Sequence, residues 1–222
     1  LYSQNGTFNH NSGKIKTENG GIGIFTSGSI GTVQAAIEIG DSSSTATGIG
    51  VYSEDSSTRT TFNSGASLKL GEGTVGLYSA KASEFGTVFM INNLSSEIGK
   101  KAVLAYFGAT GNDVDDTFNI TNTIMNGLTV SKMGENSSVF YGAAGTTVNI
   151  DDNITTAGKF SNVDSTAQFL VMSNGKTEIN SGKTLTSDFK TTISGLNSAE
   201  VKNSGILALA GKDQAVGIYL NS

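Results

Sequence analysis

The sequence predicts an all-β fold, a single-stranded parallel β-helix, and three observations predict it. A five-residue phrase returns along the 222 residues: small residue, apolar residue, glycine, apolar residue, aromatic. A second phrase, Asn-Ser-Gly, introduces short strands of alternating pattern. The composition suits long β-ladders, with 29 glycines, no proline, no cysteine, no tryptophan and only 15% charged residues. Proline is poorly tolerated inside sheets, so its absence fits a chain that spends its length in them. Helical 3.6-residue periodicity is missing, which removes the crossover helices of a doubly wound fold.

The first phrase reads Gly21-Ile22-Gly23-Ile24-Phe25, Gly48-Ile49-Gly50-Val51-Tyr52, Thr74-Val75-Gly76-Leu77-Tyr78 and Ala215-Val216-Gly217-Ile218-Tyr219. The chain opens on its tail, Leu1-Tyr2-Ser3. Looser copies stand at Ala102-Val103-Leu104-Ala105-Tyr106, at Ser138-Val139-Phe140-Tyr141 and, weakest, at Gln168-Phe169-Leu170-Val171-Met172. From Tyr2 to Tyr141 the aromatic-to-aromatic steps are 23, 27, 26, 28 and 35 residues. A repeat of this size is one supersecondary unit, unable to close a core alone but able to do so by stacking.

The second phrase stands at Asn11-Ser12-Gly13, Asn63-Ser64-Gly65, Asn180-Ser181-Gly182 and Asn203-Ser204-Gly205. The strands it introduces are Lys14–Thr17, Ser67–Leu70, 184–186 and Ile206–Leu209, each able to bury one face by period-2 alternation. The asparagines are expected at turns, where Asn tolerates left-handed backbone and its amide can bond the next coil. The mid-phrase glycines are expected where the chain bends or backbones approach closely. Stacking puts Phe25, Tyr52 and Tyr78 in one ladder and Ile24, Val51 and Leu77 on the opposite sheet face. With the ladder as core, Tyr52→Ala or Tyr78→Ala is expected to cost about 3–5 kcal/mol.

These units resemble the passenger repeats of fusobacterial-type large autotransporter adhesins, the type V secreted surface proteins. The resemblance covers residues 1–80 and 176–222 closely and 81–175 loosely. It implies a right-handed coil and a rod tethered to an outer-membrane barrel outside this chain. It also implies a structural or adhesive role at the bacterial surface. The partners would be a host-cell receptor or glycan, or other bacterial surfaces.

One solenoid segment, residues 1–222, is expected, with repeats of about 23–35 residues, irregular or inserted coils within 81–175, and no end caps. It reads as a fragment of a longer passenger, any signal peptide lying outside it. The inserted stretches 83–101 and 109–137 carry Ser83-Glu84-Phe85-Gly86, Lys100-Lys101 and an Asp cluster. Insertions in solenoids emerge as loops on one face, where binding often resides.

Net charge is −5, with no basic face for nucleic acid, and no apolar run is long enough for a membrane helix. Without cysteine there is no disulfide, thiolate-metal site or thiol nucleophile. No catalytic, cofactor-binding or metal-binding residue is assigned, no cofactor is expected, and the protein is read as a non-enzyme. Gly71-Glu72-Gly73-Thr74-Val75-Gly76 matches a dinucleotide fingerprint, but it leads into a strand phrase and reads as a repeat turn. His10, the one histidine, is expected at the surface. Asp113, Asp115 and Asp116 near Asn112, and Asp151-Asp152 beside Asn153, read first as solvated turns. The same clusters suit calcium or a glycosidase acid–base pair, without the spacing of known calcium loops. Asn-x-Ser/Thr triplets at Asn5, Asn93, Asn119, Asn136 and Asn153 carry no weight in so Asn-rich a chain. A β-helical carbohydrate-active enzyme is the competing class, but it calls for convergent acids with basic or aromatic platforms, and the only arginine is Arg59. A trimeric autotransporter head is suggested only by Ser44–Gly50, against the observed period.

Overall fold

The computed structural model describes residues 1–108, 116–210 and 213–221. The chain winds in coils, each begun by a strand of one shared sheet. The first coil carries β1 (Tyr2–Gln4), β2 (Thr7–His10) and β3 (Lys14–Thr17). The second carries β4 (Ile22–Ser27), β5 (Ile30–Val33) and β6 (Ala36–Ile39), and the third β7 (Ile49–Ser53), β8 (Arg59–Phe62) and β9 (Ser67–Leu70). The fourth has β10 (Val75–Ser79), β11 (Phe89–Ile91) and β12 (Leu94–Ile98). The fifth has β13 (Val103–Phe107), β14 (Asp116–Ile120), a short helix α1 (Asn122–Met125) and β15 (Leu128–Met133). Next come β16 (Ser138–Gly142), β17 (Thr146–Ile150) and β18 (Ile154–Thr155), then β19 (Gln168–Ser173), β20 (Lys176–Ile179) and β21 (Thr184–Ser187). The eighth coil holds β22 (Thr191–Leu196), β23 (Glu200–Asn203) and β24 (Ile206–Leu209), and β25 (Val216–Asn221) follows.

The nine coil-opening strands form one sheet in the order β1-β4-β7-β10-β13-β16-β19-β22-β25, parallel throughout. At ~4.8 Å per strand this makes a rod on the order of 40 Å long. The fold is thus a parallel β-helix. The other faces change partway. A second sheet, β2-β5-β8-β11, and a third, β3-β6-β9-β12-β15, serve the first half, while β14-β17-β20-β23 and β18-β21-β24 serve the second. The break falls in the fifth coil, where α1 packs on β11 and buries Ile124 and Met125. Asp152 of the following coil accepts the Asn122 backbone N–H at 2.9 Å, serving one of the four donors a helix start leaves free. Two isolated bridges, Val130 to Phe160 and Met133 to Val163, close the third sheet in the sixth coil.

Register explains the core. On the inner face of the main sheet, Ile24, Val51, Leu77, Ala105, Phe140, Leu170, Ile193 and Ile218 form one column. All but Ile218 are buried, each larger side chain contributing about 1.5–3 kcal/mol. The aromatics stand one residue on, so period 2 turns them outward. Tyr2, Phe25, Tyr52, Tyr78, Tyr106 and Tyr141 stack face to face, with centroids 4.8–5.4 Å apart and planes within 13°. The expectation of a core ladder is therefore corrected: the ladder exists, but on the outer face, where Phe25, Tyr52, Tyr78, Tyr106 and Tyr141 are half-buried by one another. The column then continues as Val171, Ser194 and Tyr219. The weak phrase at 168–172 is therefore one residue out of step, Val171 rather than Met172 holding the ladder position.

The mid-phrase glycine permits close approach. A Cβ on Gly50 would lie 2.4 Å from the Gly76 carbonyl oxygen and 3.0 Å from a Leu68 methyl. In Asn63-Ser64-Gly65 the Ala66 N–H returns to the Asn63 carbonyl at 3.0 Å, a four-residue turn with Gly65 at φ +95°. The left-handed residue here is the glycine, as it is at Gly13 and Gly182, and not the asparagine. The asparagine amides do bond between coils: Asn92 Nδ2 donates to Asn63 Oδ1, and Asn180 Nδ2 donates to Asp151 Oδ1, both at 2.8 Å.

Candidate binding surface

Three outward faces present side chains to solvent. The first is the aromatic column of the main sheet. Where rings cover one another mainly edges and phenol hydroxyls are left outward, while Tyr2 and Tyr219 at the two ends of the column are 66% and 51% exposed. Burial between rings pushes the Tyr106 phenol up to about 12, helped by Tyr78 and Tyr141, and raises Tyr52 and Tyr78 for the same first reason.

The second is a charge column on the third sheet. Lys16, Glu38, Lys69, Glu97 and Lys132 follow one another in register, so each coil faces the opposite sign. Lys69 and Glu97 approach to 3.8 Å, and Lys14 reaches Glu38 at 2.8 Å from the neighbouring column. Glu38 is held below its ordinary value first by the Lys14 hydrogen bond. In the second half Lys176 faces Glu200 and Glu178 faces Lys202 on the same plan.

The third lies on the second sheet, beside the inserted stretch between β10 and β11. Arg59, Thr61, Ile30 and Thr32 make a two-by-two outward block, since Arg59 pairs with Ile30 and Thr61 with Thr32 while Thr60 between them is buried. Thr32 donates to Asn9 Oδ1 at 2.6 Å in the coil before. From the coil after, Phe85 reaches back, and the Arg59 guanidinium carbon sits 5.1 Å from its ring centroid. Phe85 and Ile30 are 43% and 42% exposed. The inserted stretch is tied down at both ends of its turn: Glu84 N–H bonds the Ser56 carbonyl and Gly86 N–H the Ser83 carbonyl, each at 3.0 Å. Nearby, Asp55 accepts the Ser57 hydroxyl and N–H and is held below the usual carboxylate range by them, with Lys81 adding to the effect.

The sequence marked Arg59 and the stretch Ser83–Gly86 separately and did not join them. Their spacing of 26 residues, one repeat step, was the available signal. The other flagged residues take structural places. Gly71–Thr74 turns between β9 and β10 with no helix after it. His10 corrects a surface expectation: it ends β2 pointing inward, 8% exposed, with Nε2 3.2 Å from the Ala36 carbonyl oxygen, because period 2 puts it on the same face as Phe8. Asp151, Asp152 and Asn153 are not merely solvated; they bond Asn180, Asn122 and the Thr184 N–H in neighbouring coils. Asp116 accepts the Ala82 N–H at 3.3 Å, while Asn112, Asp113 and Asp115 lie outside the described residues. Among the described residues no three His, Cys, Asp or Glu side chains gather as a metal would need. Asn5 and Asn136 of the Asn-x-Ser/Thr triplets serve left-handed turns. Compared with protein families, with curated proteins and with solved structures, the chain matches none of them.

Proposed function

We propose that this chain is a structural and adhesive segment of a bacterial autotransporter passenger, a rigid rod holding binding surface away from the cell. The observation that carries the reading is the main sheet, hydrogen-bonded without interruption from β1 to β25. A ladder of that kind resists bending, and its turns project side chains and loops at fixed spacing. The repeat resemblance supports placing the rod outside the cell, tethered to an outer-membrane barrel beyond this chain, facing host-cell receptors or glycans or other bacteria. The role is binding without catalysis and without a cofactor.

Beads coated with the purified chain test the reading. Adherence to epithelial cells or to other bacteria above that of uncoated beads is the expected result. Polysaccharide depolymerisation by the chain, abolished by Asp151→Asn, would overturn it in favour of a β-helical carbohydrate-active enzyme. Labelling of intact cells by an antibody to the chain is expected as well, and labelling only after lysis would remove the surface location.

A further inference from the structure

Arg59 is the only arginine of an acidic chain, and, unlike more than half of the lysines, it enters no ion pair among the described residues. Seven lysines (14, 16, 69, 100, 101, 176 and 202) each meet a glutamate within ion-pair distance. Arg59 meets no carboxylate among the described residues, and its Nε is buried with no hydrogen-bond partner. A buried donor left open costs free energy, and more on a charged group than on a neutral one. The cation is nonetheless held against the Phe85 ring. A guanidinium fixed on an aromatic, with its charge uncompensated, is arranged to receive an anion.

The surroundings narrow the anion. The block of Ile30, Thr32, Arg59 and Thr61 spans about 5 Å between strands and about 7 Å along them, the footprint of one pyranose ring. One corner is cationic and one aliphatic, and the other two carry hydroxyls. Asn9 extends the polar edge, and Phe85 supplies an exposed apolar wall. A sugar acid has the complementary pattern: one carboxylate, several hydroxyls and an apolar face of C–H groups. An acidic peptide would instead seek several cations together, and this patch offers one.

We infer that Arg59, Phe85 and the Thr32–Thr61 face form a site for a carboxylated sugar residue, Arg59 pairing with the carboxylate and Phe85 packing on the apolar face of the ring. The inference gives a ligand class to the adhesive reading above and rests on that reading for its setting. Its chemistry is tested separately.

Calorimetric titration of the full 222-residue chain with a glucuronate-containing tetrasaccharide is the direct measurement, run beside the same tetrasaccharide with its carboxylates reduced to alcohols and beside inorganic phosphate. Saturable binding of the acid form is expected, with a loss of about tenfold or more on carboxyl reduction and on Arg59→Gln. Arg59→Lys keeps the charge without the planar fork and is expected to weaken binding by a smaller factor. Phe85→Ala is expected to weaken the acid and the reduced sugar alike. Each variant is compared by circular dichroism with the parent, and because Phe85 is exposed and Arg59 stands on the outward face of β8 both are expected to fold. No binding of the acid form, equal binding of the reduced form, unchanged binding in Arg59→Gln, or phosphate binding as tight as the sugar would each overturn the site. Beads that adhere although the chain binds no acid sugar would sink this site and leave the adhesive reading standing. Sugar binding by a chain that adheres to nothing would do the reverse.

Discussion

The two halves of the rod share one sheet and fill its inner face differently. In the first four coils the main-sheet rings stand outside, in a stack that runs on to Tyr141 in the sixth coil, and the inner column of Thr26 continues with Ser53 and Ser79. The buried rings there, Phe8, Phe62 and Phe89, come from the second sheet. From the fifth coil that inner column becomes Phe107, Gly142, Met172 and Gly195, and main-sheet rings join the core as well. Phe107, Phe118, Phe140, Phe160, Phe169 and Phe189 pack there through stacked, edge-to-face and tilted contacts. The same repeat period thus supports two ways of burying an aromatic ring: against its copies in adjacent coils, or inside the tube. Both halves leave hydroxyls buried without a protein partner, Thr26 Oγ1, Ser53 Oγ, Thr58 Oγ1 and Thr60 Oγ1 in the first and Thr192 Oγ1 and Ser194 Oγ in the second.

The sharpest way to break this comparison is to truncate one ring from each half. Phe140→Ala removes a fully buried side chain and is expected to cost about 3–5 kcal/mol in denaturant unfolding. Tyr78→Ala removes two stacked ring contacts from a half-exposed side chain, with an expected cost of about 2 kcal/mol. Equal losses would mean that the inside–outside distinction carries no energetic weight.

Next in size is a gain. Thr26→Val keeps the shape and removes an unpaired buried hydroxyl, so the variant is expected to be more stable by about 1 kcal/mol. A loss of stability would show that this hydroxyl is satisfied in solution.

Alkaline titration sharpens the outer ladder. The Tyr106 phenol titrates at about 12 in the folded chain against an ordinary value of 10. A folded value raised above the unfolded one means stability that is full below about pH 10 and is lost as pH climbs toward about 12. Phenolate absorbance should therefore appear late for Tyr106, and Tyr106→Phe should flatten the stability loss in that window. An unchanged pH profile in Tyr106→Phe would assign the alkaline loss to other groups.

The smallest expected effect is on the charge column. Glu97→Lys places a third like charge between Lys69 and Lys132, with an expected cost of about 0.5–1 kcal/mol that shrinks as salt is added. A salt-independent loss would point to packing rather than charge.

Much of this was legible in the residues. Strands after Asn-Ser-Gly lie where alternation put them, including Lys14–Thr17 and Ser67–Leu70. The stacking of Phe25 on Tyr52 on Tyr78 follows from copies of one phrase. The site around Arg59 was half legible, its members noticed and its juxtaposition missed, because a contact between consecutive coils is visible only once the register of an inserted coil is known. His10 was misread for a related reason. Its neighbours Asn9 and Asn11 suggest a turn, but strand phase, set by the burial of Phe8, turns the ring inward.

By itself the sequence determined the repeat, the parallel stacking and the pairing of like with like, because period-2 alternation and turn chemistry are local and each coil restates them. Only the tertiary structure decided which face of the main sheet is the inside, where the second and third sheets give way to others, and that Phe85 closes over Arg59. Those depend on how the three walls meet around a shared core. A one-residue change of phase exchanges the two faces of a strand, and a local pattern of alternating apolar and aromatic residues does not say which of its two faces the walls enclose.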